Sequence, residues 1–357
     1  MALLFAYSAN NLTAAGTQLP GAFAGVSGTP TVGVGDGPGA TPINTVHCDG
    51  GSFVLVPNIA IPTNGNGLCI GAGFNVASFA GDQGLTLISL GGAVYYIYVQ
   101  VNPDGSMSMG LSAVPVASSP SGTFTFGNRH EVELFVSSFA AVNSVSVILD
   151  GVAVAGLTNL TLSSYYGGLT GLSDGATIHT VTVGGGYNGA TEPMVVDSVY
   201  ALDTTGIAPN NAPLGPCIAT PMLPSAAGHA SAWTPFGVTY GYEALAVVPP
   251  AGDTSYIYDS TPGDQEAVEL AAVANITAVY GICVIANQRQ DTAGGGRTVS
   301  LGVGSGSAQN YTSQFATWGL GTSYKMNTAP YSFNPFTSAA WTLSDLSTLQ
   351  LALKLAT

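Results

Sequence analysis

Residues 144–155 read SVSVILDGVAVA, and that stretch decides the fold class. Serine and valine alternate through 144–147, the period-two pattern of a strand with one face buried. Asp150-Gly151 follows, a pair that supplies the positive φ angles of a type I′ turn, and 152–155 (VAVA) resumes the strand. The stretch predicts a β-hairpin. Upstream, 95–101 (YYIYVQV) and 106–111 (SMSMGL) flank Asn102-Pro103-Asp104-Gly105 and predict a second hairpin. Further strands are predicted at 52–56, 86–89, 131–136 (EVELFV), 178–183 and 194–202, and residues 1–16 read as a first strand.

Composition agrees. The chain has 48 glycines and 21 prolines, spread between apolar runs as turn punctuation. Lysine and arginine, both strong helix formers, number five together. Valine, threonine, tyrosine and phenylalanine suit a pleated, half-buried surface. The class is all-β. Only 7% of residues are charged, against about 25% in an ordinary domain, and the formal net charge is −14. Such a surface favours association with other subunits. Five dispersed cations form no patch for phosphate, so no nucleic acid and no anionic membrane is expected as a partner. No apolar run reaches the roughly 18 residues of a membrane helix. The first residues lack a basic n-region, and synthesis in a cytoplasm is expected. Cys48, Cys69, Cys217 and Cys283 show no metal-ligand spacing and read as buried reduced thiols.

Nine of the 21 prolines fall in 204–262, which reads as an irregular connector. Strands return at 269–273, 278–286, 297–303 and 349–355 (LQLALKL), where Leu349, Leu351, Leu353 and Leu355 share one face. The expected architecture is two β-sandwiches of jelly-roll type joined by a Pro-rich connector. The boundaries are 1–203, 204–262 and 263–357.

Several stretches carry a resemblance. Asp49-Gly50-Gly51-Ser52, then 129–137 (RHEVELFVS), the Leu149–Val152 turn and 197–203 (DSVYALD) resemble a concanavalin A-like, laminin-G-like jelly roll. The run from Asp203 to Asn211 with Leu214-Gly215 resembles a segment of tailed-bacteriophage virion structural proteins. Trp233, 253–257 (DTSYI), Pro262-Gly263-Asp264, Phe333-Asn334-Pro335 and 339–342 (AAWT) continue that resemblance in order. Ala212-Pro213 and 216–219 (PCIA) depart from it where the family carries charged residues. The resemblance implies a virion component, assembled in a bacterial host cytoplasm, with a solvated strand before the Asp-Gly hairpin.

Glycosidases of the concanavalin-like fold resemble one another in an acidic strand. Glu131 and Glu133 leave one face of a strand at i/i+2, and a retaining pair needs carboxyls about 5–5.5 Å apart. The intervening residue is Val132 and further acids are missing, so both read as solvent-facing glutamates on a sheet edge. Asp36, Asp49, Asp104, Asp150 and Asp174 each precede glycine, a turn signal that also fits loop-end calcium sites. No ligand set for calcium emerges, and no other cofactor is implied. His47, His130, His179 and His229 share no spacing, and no GxSxG elbow exists. The Gly184–Gly186 and Gly294–Gly296 runs precede neither helix nor lysine and read as loops. Tyr95, Tyr96 and Tyr98 are candidates for glycan contact, with cross-strand packing the competing role. The expected function is a non-enzymatic structural subunit, a capsid decoration protein or head fibre, forming a homo-oligomer such as a trimer. The alternatives are a tail-associated protein or a carbohydrate-binding host-recognition module, with glycan hydrolysis a third.

Overall fold

The computed structural model describes residues 3–7, 25–27, 31–36, 42–48, 53–56, 59–60, 66–77, 84–91, 96–112, 114–138, 144–161, 177–178, 180–184, 194–206, 208, 210–247, 252–291, 296–305 and 316–356. The fold is nearly all β, as the sequence predicts. The chain divides into two compact units, unit 1 (Met1–Ala219) and unit 2 (Thr220–Thr357).

Unit 1 contains, in chain order, β1 (Leu3–Tyr7), β2 (Gly25–Ser27), β3 (Thr31–Asp36), β4 (Pro42–Cys48), β5 (Phe53–Val56), β6 (Ile59–Ala60), β7 (Leu68–Val76), β8 (Leu85–Gly91) and β9 (Tyr96–Val101). It continues with β10 (Met107–Leu111), β11 (Val114–Ser118), β12 (Arg129–Val136), β13 (Ser144–Leu149), β14 (Val152–Ala153), β15 (Leu160–Thr161), β16 (Thr177–Ile178), β17 (Thr180–Val183) and β18 (Met194–Asp203). Among the described residues, one sheet runs β14-β13-β12-β7-β18-β4-β3, with β1 on β18 and β15 on β13. A second runs β11-β10-β9-β8-β17-β5-β2. Alternation builds the sandwich core between them. Ile70, Ala72, Phe74, Val132 and Leu134 line the first sheet, and Leu87, Ile97, Val99, Met107 and Met109 the second, all fully or almost fully buried. At roughly 25 cal/mol per Å² of apolar area, this burial is the main force holding the layers together.

The hairpin of 144–155 forms as read: Asp150 has φ 52° and Gly151 φ 80°. β14 is shorter than the sequence suggests. The middle strand of the first sheet, β7 (LCIGAGFNV), is not among the predicted strands. Its two glycines break the β-branched pattern by which strands are recognised.

Unit 2 contains β19 (Pro224–Ser231), β20 (Thr234–Phe236), α1 (Gly241–Leu245), β21 (Tyr256–Tyr258), β22 (Gln265–Leu270), β23 (Ile282–Gln288), β24 (Thr298–Ser305), β25 (Ala316–Gly319), β26 (Lys325–Tyr331), α2 (Leu343–Leu346) and β27 (Leu349–Leu355). A sheet in the order β19-β22-β27-β24-β25 faces the β23–β26 ribbon across Val284, Val299, Leu301, Val303, Tyr331 and Leu353. Trp341 of the AAWT run closes this core and donates from Nε1 to the Tyr331 carbonyl at 2.9 Å.

The span read as a connector, 204–262, is shared between the two units. Its first part packs on unit 1, where backbone N–H groups find buried carboxylate acceptors. Its second part supplies β19, β20, α1 and β21 of unit 2. The division between the two units falls at Ala219/Thr220, within the span read as the connector. No helix of the described residues is long and apolar enough to cross a membrane.

Candidate functional site

Glu131 and Glu133 do not face solvent and do not lie on an edge. β12 is an inner strand, paired on one side with β13 and on the other with β7, and both glutamates have no exposed surface. Even-numbered residues of β12 point into the sandwich core. Arg129, Glu131 and Glu133 therefore share the opposite face. That face is covered by the chain itself, through residues 214–219.

The neighbouring strands explain how this is possible. Glu131 and Glu133 stand opposite Gly73 and Gly71 of β7, which in turn stand opposite Asp197 and Tyr200 of β18. The glycines leave the middle strand bare, so side chains from both flanks lie across it. A Cβ on Gly71 would stand 2.2 Å from Tyr200 Cζ, and one on Gly73 would stand 2.2 Å from an Arg129 nitrogen. Arg129 spans the gap. Its Nε and Nη2 donate to Asp197 at 2.8 and 2.6 Å, and Nη2 also donates to Glu131 at 2.8 Å. The Tyr200 hydroxyl reaches over Gly71 and donates to Glu133 Oε1 at 2.7 Å. Asp197 and Tyr200 are three apart, yet share a face because the register shifts between them, around Ser198 at φ 50°. This is a β-bulge, which re-aims the side chains that follow it.

Residues 214–217 complete the enclosure. Leu214 N and Gly215 N donate to Glu133 at 2.7 and 3.2 Å, Cys69 Sγ donates to Glu133 at 3.7 Å, and Cys217 Sγ donates to Glu131 at 4.0 Å. Ala219 N donates to the Ser198 hydroxyl. Gly215 has φ 69° and its Cα lies against Gly151, so the strap runs under the hairpin turn.

One cation among three buried carboxyls cannot balance full ionisation, and an unpaired buried charge costs several kcal/mol. The ionisation equilibria respond. Burial pushes the Glu131 carboxyl well above the usual range, against the pull of Arg129, with Asp197 adding to the rise. Burial also raises Glu133, opposed by its bonds from Tyr200, Leu214 and Gly215. Burial raises the Cys69 and Cys217 thiols and the Tyr200 phenol, so all three stay protonated. The cluster anchors the strap, and its carboxylates are closed to a substrate in this structure.

A second constellation lies on the core side of the same strand. His130 Nδ1 sits 2.7 Å from Asp150 Oδ2 and Nε2 2.8 Å from the Thr125 hydroxyl, with the Phe124 ring at 4.5 Å. Asp150 Oδ1 also accepts from Glu131 N at 2.8 Å. These bonds tie the 120–128 loop to the hairpin. Sequence spacing does not reveal them, because the three residues come from a loop, a strand and a turn.

Tyr96 and Tyr98 stand on the outward face of β9, their ring centroids 6.0 Å apart, while Ile97 and Val99 enter the core. The Tyr98 ring lies over Gly110 of β10. Beside it Gln100, Asn102, Ser106, Ser108 and Ser118 form a continuous hydrogen-bonded ladder. Tyr95 lies outside the described residues, as do Asp49, Asp174, His179 and the glycines at 185, 186, 294 and 295. Asp104 turns its carboxylate onto Ser106 N and Oγ. No group of three or more potential metal ligands occurs among the described residues. None of the four cysteines is in a disulfide; Cys48 and Cys69 are buried and Cys217 and Cys283 half-buried.

No family model matches the chain, and no curated protein matches it. Solved structures do. Trypanosoma rangeli sialidase is similar at 14% identity over 56% of this chain and 30% of the sialidase, with a TM-score of 0.36. This chain thus matches less than a third of the sialidase's length. An endo-1,3-beta-glucanase from Streptomyces sioyaensis is similar at 15% identity over 56% of this chain and 95% of the glucanase, with a TM-score of 0.35. Peanut lectin is similar at 12% identity over 57% of this chain and 98% of the lectin, with a TM-score of 0.36. Likenesses at this level decide nothing about activity or ligand.

Proposed function

We propose that this protein is a non-enzymatic structural subunit of a tailed-phage particle. Its place is that of a surface accessory such as a capsid decoration protein or head fibre, and it works by adhesion between subunits. The observation that carries the reading is the distribution of exposed apolar side chains. Among the described residues, every exposed large hydrophobic except Val152 and Ile218 lies in unit 2, including Phe236, Tyr240, Tyr258, Phe333 and Leu343. Of these, Phe236 and Tyr258 lie together about Tyr256; an exposed apolar group of that kind marks an interaction surface, and a chain with 7% charged residues has few charges to desolvate there. The sequence resemblance around 203–264 and 333–342 supplies the virion context. Mass spectrometry of density-purified particles tests the proposal: the chain is expected at stoichiometric copy number, and its absence overturns the reading.

Hydrolysis is disfavoured because Glu131 and Glu133 are occupied by Arg129, Tyr200 and the strap. No reducing ends are expected from a panel of glycans, and release that Glu131→Gln abolishes would reverse this conclusion. A carbohydrate-binding module is the second reading, favoured by the outward Tyr96 and Tyr98. It requires saturable binding of a host polysaccharide that Tyr98→Ala removes.

A further inference from the structure

We propose that the Thr125 hydroxyl is a nucleophile that captures an acyl group from an activated ester, through a hydrogen-bond relay running from Thr125 to His130 to Asp150. A single capture of this kind is stoichiometric and needs no turnover, so it goes beyond the adhesive reading and does not depend on it. The three residues come from the 120–128 loop, from β12 and from the Asp-Gly turn, and the fold lines them up. Thr125 is exposed, whereas His130 behind it is buried. The Thr125 hydroxyl lies 2.8 Å from His130 Nε2, and His130 Nδ1 lies 2.7 Å from Asp150 Oδ2. A hydroxyl within hydrogen-bond reach of a base, with the base oriented by a third group, is the arrangement that activates a nucleophile. Asp150 is itself held in place, since its Oδ1 accepts from Glu131 N at 2.8 Å.

Two further bonds set the direction of the relay. The backbone N–H of Thr125 points at Nε2 from 3.3 Å and can only donate, so in the neutral ring Nε2 is the acceptor and the proton sits on Nδ1, facing Asp150. On the outer side of the hydroxyl, Asn128 Nδ2 donates to Oγ1 at 3.2 Å, which leaves the hydroxyl hydrogen for Nε2. Burial works against the Asp150 carboxylate, but the bonds from His130 and Glu131 N outweigh it and hold its pKa below the usual range. The ring therefore faces an anion, which stabilises the imidazolium formed when His130 takes a proton. In the reaction Oγ1 bonds to the acyl carbon and its proton passes to Nε2, whose new N–H finds the Thr125 carbonyl oxygen 3.1 Å away. The bond from the acyl carbon to the leaving oxygen breaks. That oxygen departs with the electron pair, His130 returns the proton to it or to water, and a threonyl ester remains.

Treatment of the full chain with p-nitrophenyl acetate, with the acetylated positions mapped by peptide mass spectrometry, tests this. Thr123 is the internal reference, because its hydroxyl donates to the Pro120 carbonyl at 2.7 Å instead of to a base. General-base assistance contributes about 10²–10⁴-fold, so Thr125 is expected to acquire acetyl at least about 100-fold faster than Thr123. Asp150→Asn keeps the turn, since asparagine tolerates the φ of 52° there, but it presents an N–H to Nδ1 and so moves the ring proton to Nε2. That variant is expected to bring the ratio of the two threonines near one. It should also erase the rise of Thr125 labelling with pH that deprotonation of His130 gives the wild type, with the melting temperature unchanged. Equal acetylation of Thr123 and Thr125, or acetyl groups confined to amines, overturns the proposal. So does Thr125 labelling in Asp150→Asn at the wild-type rate and pH dependence. Should Asp150→Asn melt early, the comparison of Thr125 with Thr123 in the wild type still decides, because both hydroxyls belong to one folded chain.

Discussion

Replacing Gly71 by alanine tests whether the bare middle strand is what allows the buried cluster to form. The added Cβ would stand 2.2 Å from Tyr200 Cζ and 2.3 Å from its hydroxyl oxygen, far inside contact distance. The ring is pinned between β7 and the strap, so it must swing off the sheet. Overpacking of this kind costs about 1–3 kcal/mol. Losing the 2.7 Å bond from Tyr200 to Glu133 removes a further 1.5–3 kcal/mol or so, the usual worth of a bond to a charged group. Together they give about 2.5–6 kcal/mol, a drop of roughly 5–20 °C in the melting of unit 1 at about 2–4 °C per kcal/mol. Urea denaturation followed by far-UV dichroism reads this directly. Gly319→Ala, where a Cβ meets nothing within 4 Å, is the blank and should change stability by less than about 0.5 kcal/mol. In a Tyr200→Ala background the obstacle is gone, and Gly71→Ala should become nearly neutral. A loss below about 1 kcal/mol for Gly71→Ala alone, or an equal loss in both backgrounds, would refute the reasoning.

Three further outcomes follow from the same geometry. Burial pushes the Glu266 carboxyl up to about 7, against one bond from Trp233 N. Its folded pKa exceeds the unfolded value, so its stabilising contribution is complete below about pH 4.5 and is lost as pH rises through 7. Unit 2 should therefore weaken by up to about 3 kcal/mol between pH 5 and 8. Glu266→Gln should flatten that slope in denaturation curves; an unchanged slope excludes Glu266 as its source. Gly215→Ala forces a side chain onto φ 69° and brings its Cβ to 3.2 Å from Gly151 Cα, so the strap should loosen by about 1–2 kcal/mol. Limited proteolysis within 210–219 should accelerate, and alkylation of Cys217 should become faster than that of Cys69; protection equal to wild type would show that the strap tolerates the change. Leu214→Pro deletes the N–H that Glu133 accepts and should cost about 1–3 kcal/mol by the same denaturation assay, with no loss indicating that the bond is dispensable.

The two halves of the problem differ in how legible they are. Strands built from alternating side chains announce themselves: SVSVIL, YIYVQV and LQLALKL all fall on observed strands. β7 does not, although it is the middle strand on which the cluster rests. Its face opposite the core carries Cys69, Gly71 and Gly73, and the value of those glycines lies in what neighbouring strands place over them. Propensity reads a residue for its own side chain and is blind to a position kept empty for another's. The same blindness made Glu131 and Glu133 look solvated. Alternation tells correctly that they leave the core face; it cannot tell that residues some eighty positions later return to cover them.

Parity fails at a second point for a related reason. Counting by twos from Asp197 sends Tyr200 to the core side, yet the bulge at Ser198 brings it back beside Glu133. A bulge is invisible to a period-two count because it inserts one residue without altering composition. Once it is placed, the scarcity of charge in the chain acquires a local meaning. Three of the 19 acidic residues and one of the five cations are spent inside unit 1, on fixing a strap to a sheet. They leave still fewer charges at the surface of unit 1. Alternation places these acids on the face away from the core, and only the returning strap, which the strand pattern does not announce, turns that face into a buried one.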